Sequence, residues 1–395
     1  MIVENVPLGV DIRVRKQVRD LLAEGYQVSV ITMRAPENAP YRGLAGLTVL
    51  EYPPPPEPNG PLGYVREYGL SLLWATALMG RLRRRRGIDV LQLCQPPDIY
   101  FPLARVLRWL GARVLVDQRD LMPELLAARY SRPSPKMMTA LRWLERRTQR
   151  VADHTLCVNG YLRDRLIGAG ADPARVTIVR NGPSRARVDT ATPNPVLKAD
   201  HRFLCCWIGK MGRQDRVDLL LHAVAYLVHR LGRTDCGFAI LGDGECLDEL
   251  RALSSELALD PWVTFPGWLP EHEVFAYLAS ADLGVDTSLQ VEVSPVKVME
   301  YMAFGLPFVS FDLQETREIG AGAAVFAQPG DEVGLAREIA ALLDDPTRRR
   351  ELARIGRRRV HEDLAWERQS CAYLQALKTL TPRAHLDGMS PEVPG

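Results

Sequence analysis

The sequence predicts two doubly wound parallel α/β domains in series, with a ligand site at the strand ends of the second. Three observations point there. The chain has 395 residues, more than one hydrophobic core usually serves. Short β-branched runs alternate with longer amphipathic segments, the pattern of parallel α/β structure. That alternation stops at Asn181-Gly182-Pro183-Ser184, passes through a polar connection to about Asp200, and starts again. The expected domains are therefore 1–182 and 183–365, with a final helix at about 366–380 crossing back to the first and a polar, disordered tail at 381–395.

Strands are expected in the first half at Met1–Glu4, Val28–Met33, Leu47–Glu51, Asp89–Leu93, Arg113–Asp117, His154–Val158 and Val176–Val179. Between them, Asp11–Ala23 places Val14, Val18, Leu21 and Leu22 on one helical face, with Asp11 as N-cap and Gly25 as stop. The second half repeats the scheme with strands at Phe203–Ile208, Gly237–Leu241, Trp262–Phe265, Leu283–Val285, Pro307–Phe311 and Ala323–Phe326. Sheets of this kind bind ligands outside the carboxyl ends of their strands.

Composition removes several function classes. Lys and Arg number 50 against 48 Asp and Glu, too even for a dedicated nucleic-acid binder. Seven cysteines show no paired or metal-ligand spacing, and Cys205 and Cys206 lie inside an apolar run. No signal peptide or bilayer-length apolar stretch is read, so a reduced, cytoplasmic protein is expected. The run Arg81-Leu-Arg-Arg-Arg-Arg86 suits either an anionic membrane surface or a solvated helix end, and the second reading is preferred.

The most informative stretch runs from Glu292 to Pro307. Ser294-Pro295 reads as N-cap and N1 of a helix ending at Phe304, with Gly305 as its stop. A helix N-terminus is an anion site, so the otherwise unfavourable Lys297 near it makes sense if a diphosphate lies between. Glu292 suits sugar hydroxyls, although a solvated loop carboxylate reads as well. Glu300 suits the ribose of a nucleotide. Met299, Met302 and Phe304 read as core, and Gly242 and Gly244 fit a tight turn as well as a phosphate loop.

Glu292-x7-Glu300 followed by Tyr-Met-Ala-x-Gly-x-Pro resembles the signature of the retaining GT-B glycosyltransferases of family 4. Trp207-Ile-Gly-Lys-Met-Gly-Arg213 resembles their donor-phosphate loop, and Leu241-Gly-Asp-Gly244 and Phe265-Pro-Gly-Trp268 resemble their next two strand ends. Val179-Arg-Asn-Gly-Pro183 resembles their interdomain hinge and Trp366-Glu-Arg their returning helix.

The resemblance implies transfer of a sugar from a nucleoside diphosphate, UDP- or GDP-linked, with retention, and no cofactor or metal. Gly209, Lys210, Arg213, Gly242, Gly244, Trp268, Glu292, Val293, Ser294, Pro295, Val296, Lys297 and Glu300 would bind the donor. Lys210, Arg213, Lys297 and the helix start would carry the leaving diphosphate's charge.

Three departures stand out. Histidines common in relatives are replaced in Gln95-Pro-Pro-Asp98 and Asp117-Gln-Arg119-Asp120, and the usual lysine–glycine pair is Asp215-Arg216. Asp98, Asp117 or Asp120 is then expected as base, or the acceptor is a better nucleophile such as a thiol. A helper without turnover and a nucleotide-sugar epimerase remain the alternatives. The acceptor, a small molecule or a saccharide, is expected near Gly9, Asp11, Arg13, Gln95, Arg119 and Glu124.

Overall fold

The computed structural model describes residues 1–4, 6–55, 60–129 and 134–381. The chain divides into two compact units: Met1–Val179, rejoined by the chain from Ser370 onward, and Arg180–Gln369. The tail expected to be disordered lies, after Thr381, outside the described residues.

In the first unit the strands are β1 (Val28–Met33), β2 (Leu47–Tyr52), β3 (Val90–Gln95), β4 (Arg113–Gln118), β5 (His154–Cys157) and β6 (Val176–Ile178). The helices are α1 (Ile12–Ala23), α2 (Gly60–Arg86), α3 (Phe101–Trp109), α4 (Met122–Arg129), α5 (Pro135–Val151) and α6 (Gly160–Gly168). All named strand pairs are parallel, in the orders β1-β2 and β3-β4-β5-β6.

The expected first strand, Met1–Glu4, is too short to form a full ladder. It lies between β1 and β3, with Ile2 bridged to both Ile31 and Leu93. It thus joins the two ladders into the order β2-β1-(1–4)-β3-β4-β5-β6, which is doubly wound about the N-terminal segment. On α1, Asp11 accepts from the amide of Val14, satisfying one orphan N–H of the first turn. Val14, Val18 and Leu21 are buried beneath it, whereas Leu22 is half-buried.

The second unit opens with the one-turn α7 (Arg185–Val188), then β7 (Phe203–Ile208), α8 (Val217–His229), β8 (Cys236–Leu241), α9 (Leu247–Glu256), β9 (Val263–Gly267) and α10 (Glu271–Ser280). It continues through β10 (Leu283–Asp286), α11 (Val296–Phe304), β11 (Phe308–Phe311), α12 (Gln314–Gly320), β12 (Ala324–Ala327), α13 (Glu332–Asp344) and α14 (Pro346–Arg359), and α15 (Trp366–Leu380) passes back into the first unit at Ser370. The sheet order is β12-β11-β10-β7-β8-β9, all parallel. Strands β8 and β9 are added on one side of β7 and β10 to β12 on the other, so the switch point falls between β7 and β10.

Both faces of this sheet are covered. Phe203, Cys205 and Trp207 enter one core and Leu204, Cys206 and Ile208 the other, which is why β7 reads as an unbroken apolar run. All seven cysteines are free thiols, six of them buried. The polar connection to Asp200 is not a loose linker. Lys198 pairs with Asp282 at 2.7 Å and the Asn194 amide donates to Ser280.

Tyr301 fixes α11 under the switch point. Its ring is fully buried, and its hydroxyl accepts from the amide of Ile208 and donates to the carbonyl of Val285. One phenol thereby ties β7, β10 and α11 together. Tyr301→Phe leaves a buried N–H and C=O unpaired, so chemical denaturation should show a loss of about 1–3 kcal/mol.

Candidate functional site

The C-terminal ends of β7, β8 and β10 and the start of α11 enclose a cavity of about 430 Å³ within the second unit. Glycine brings its floor together. Gly242 has φ +128, and a Cβ there would lie 1.9 Å from the carbonyl oxygen of Gly209. Gly244 is needed for a similar reason, because its Cβ would meet the Met211 backbone. The glycines first allow two strand-end loops to touch, and Gly209 and Gly242 then line the cavity.

Lys297 stands on the second residue of α11 and reaches into this space with its side chain 14% exposed. Its Nζ is 3.4 Å from Asp286 Oδ1 and 3.6 Å from Asp215 Oδ1, and 4.0 Å from the centre of the Trp207 ring. Neither carboxylate contact has hydrogen-bond geometry, so the buried ammonium makes no hydrogen bond among the described residues. Ser294 Oγ and Asp286 Oδ2 are likewise buried without a partner. Burial pushes the Asp215 carboxyl above its ordinary range, and Lys297 opposes that rise. Buried polar groups left unsatisfied are costly unless water or a ligand completes them.

Several expectations about this side change. The helix starts at Val296 with Pro295 at the cap position and no side-chain cap. Ser294 therefore does not cap it; its hydroxyl instead borders the cavity. Val293, Pro295, Val296 and Glu300 also line it, as does Trp268, which is 75% exposed on the rim. Glu292 is half-buried beside the lining, where Gln290 donates to it at 3.4 Å.

Lys210 and Arg213 do not line the cavity. Both are exposed, and Arg213 pairs with Glu249 at 3.3 Å. The cause is the short turn Arg213–Asp215, in which Asp215 Oδ2 accepts from the Gly212 amide. That turn sends Arg213 outward and Asp215 in. Met299, Met302 and Phe304 are core, as expected.

In the first unit, three of the residues expected near an acceptor serve one buried ion network. Arg13 donates to both oxygens of Asp117 and to the Val179 carbonyl. Arg119 reaches Asp11 and Asp117, and Gln17 donates to Asp117 as well. Burial alone would push Asp117 up, but the Arg13 and Arg119 guanidiniums bring it down to about 2. So low a value makes Asp117 a weak base. Glu124 pairs with Arg165, and the Gly9 amide donates to Asn38. Gln95 is buried, and neither of its amide atoms has a partner among the described residues.

Asp98 and Asp120 differ. Asp120 is half-buried beyond the end of β4. Asp98 is fully buried, with no hydrogen bond to either carboxylate oxygen among the described residues. Burial first, and Glu145 second, push its carboxyl up to about 7. Stability from this raised pKa is fully present below the ordinary value of 3.8 and is lost as pH rises to about 7. Asp98→Asn should therefore gain thermal stability relative to the parent between pH 3.5 and 7.5, read from melting curves at both values. Glu4 behaves alike: it is buried beside Glu67 and pushed up to about 8.

Sequence reasoning missed Asp286, Glu315 and Thr316 as lining residues, and placed Asp215 only as a departure. Asp286 ends β10 at the switch point, a positional signal that was available. Glu315 is paired with Arg180 and carried none. No group of three or more His, Cys, Asp or Glu able to hold a metal occurs among the described residues. Nor is any helix there long and apolar enough to cross a membrane. Arg83, in the basic run, donates to the Leu110 carbonyl.

Two Rossmann-like parallel sheets, the second with its cavity at the switch point, define the GT-B class of protein. Residues 202–345 match the family described as glycosyl transferases group 1, and residues 9–182 match the glycosyl transferase 4-like domain. The chain belongs to this family of GT-B glycosyltransferases. Glycogen synthase of Mycobacterium tuberculosis is 27% identical over 59% of this chain, which spans 55% of that relative's length. Sucrose-phosphate synthase from Thermosynechococcus elongatus shares the fold with a TM-score of 0.74 at 18% identity, over 93% of this chain and 92% of that one. HepE of Anabaena, solved with UDP-glucose, superposes with a TM-score of 0.70 at 17% identity, over 96% and 98%.

Proposed function

We propose that this chain transfers a sugar from a nucleoside diphosphate, UDP- or GDP-linked, to an acceptor with retention and without a metal. The observation that carries the reading is Lys297: a buried ammonium with no hydrogen bond, at the start of α11, in the cavity at the switch point. As the bond from the anomeric carbon to the diphosphate breaks, negative charge grows on the leaving group. Lys297 and the positive end of the α11 dipole would receive it. Glu300 would accept from the ribose hydroxyls and Glu292 from the sugar.

The second unit would be the donor-binding domain and the first the acceptor-binding domain. Asp120 is our choice of base for an alcohol acceptor, because Asp117 is committed to its arginines and Asp98 is enclosed. A thiol acceptor would need little help. The buried thiols suit a reducing, cytoplasmic setting.

The test begins with melting curves in UDP, GDP, ADP and dTDP, since a ligand of the native state raises its stability. The diphosphate that stabilises the protein then sets the sugar donors to be assayed for diphosphate release with candidate acceptors. No stabilisation by any of the four would defeat the proposal. Conversion of the donor alone, without acceptor or diphosphate release, would make the protein an epimerase instead.

A further inference from the structure

We infer that Asp215 is a positioning residue: with Asp286 it forms an acidic cradle that aims the Lys297 ammonium into the cavity. The inference rests on the reading that the cavity takes a nucleoside diphosphate. Lys297 Nζ lies 3.6 Å from Asp215 Oδ1 and 3.4 Å from Asp286 Oδ1, over the face of Trp207. Gly209 closes the fourth side, since a Cβ there would lie 3.4 Å from Nζ. The ammonium is thus held by charge and ring face, while its hydrogen bonds stay unspent.

The cradle has an electrostatic cost that makes it informative. Asp215, Asp286 and Lys297 together carry a formal charge of −1 when all are ionised. That is a poor balance for an anion site if the carboxylates are bystanders. Burial already raises the Asp215 carboxyl. A carboxylate in this place makes physical sense if fixing the cation contributes more to diphosphate binding than the added repulsion removes.

The two views predict opposite signs. If Asp215 is a bystander, Asp215→Asn removes a repelling charge and tightens the diphosphate. If Asp215 positions Lys297, the same change weakens it, by about fivefold or more. Titration calorimetry with UDP and, in parallel, GDP reads this directly on the full chain, with melting curves of the ligand-free variants as the control for folding. Lys297→Gln should weaken binding by about tenfold to a hundredfold.

The reciprocal exchange, Asp215→Lys with Lys297→Asp, places an ammonium in the same cradle from the opposite side. It should bind at least about tenfold more tightly than Lys297→Gln, whereas the neutral pair Asp215→Asn with Lys297→Gln should not. Unchanged or tighter binding by Asp215→Asn overturns the inference, as does an exchange no better than the neutral pair. Failure of the parent chain to bind either nucleotide overturns the functional reading itself, and this inference with it.

Discussion

Lys297→Ala should reduce glycosyl transfer by about a hundredfold to a thousandfold while leaving the fold intact. The size follows from where the charge is needed. In the proposed reaction diphosphate leaves as an anion, and a donor fixed beside it would stabilise the transition state more than the ground state. Lys210 and Arg213, the other cations the sequence offers, lie outside the cavity lining, so they leave Lys297 with most of this work. The protein should still fold but lose about 3 kcal/mol or more of stability, because Asp215 and the buried Asp286 lose their countercharge. Steady-state assays with the stabilising nucleotide's sugar conjugate check the first part, and melting curves the second. A variant that keeps parental turnover would remove Lys297 from the mechanism. Lys210→Ala and Arg213→Ala, in the same assay, should fall by less than about tenfold, as expected of exposed side chains.

Gly242→Ala should damage folding and nucleotide binding together. Its φ of +128 is one that residues with side chains rarely adopt, and the new Cβ would meet the Gly209 carbonyl oxygen at 1.9 Å. A backbone oxygen cannot rotate away, so the loops after β7 and β8 must separate. We expect a loss of about 2–4 kcal/mol in denaturant unfolding from the combined clash and backbone strain. Nucleotide affinity should drop as well, because both glycines line the cavity. Gly267→Ala is the control. It has φ +80 but nothing within 4 Å of its Cβ, so strain without a clash should cost about 1 kcal/mol and spare binding. Equal effects at the two positions would mean that backbone strain, not loop contact, governs the site.

The contrast between Gly242 and Lys210 shows how far the sequence could be read. Gly242 was legible only in part, because a glycine after an apolar strand fits a tight turn as well as a phosphate loop. Lys210 and Arg213 were not, because a cation in a loop carries no record of the direction its backbone turn will give it. The turn at Arg213–Asp215 placed the acid inward. The same holds for Arg13 and Arg119, expected near an acceptor, whose pairing with Asp117 no local pattern announced.

Sequence alone determined the two doubly wound sheets, nearly every strand and the helix from which Lys297 extends, because hydrophobic period and Gly/Pro punctuation act over a few neighbouring residues. Tertiary structure decided which charges meet. Arg13 and Asp117 are 104 residues apart, and Asp215 and Lys297 come from loop and helix on different strands' ends. Coulombic pairing and burial depend on distance in space, which no local pattern records, so the choice among Lys210, Arg213 and Lys297, and the acidic cradle, emerged with the fold.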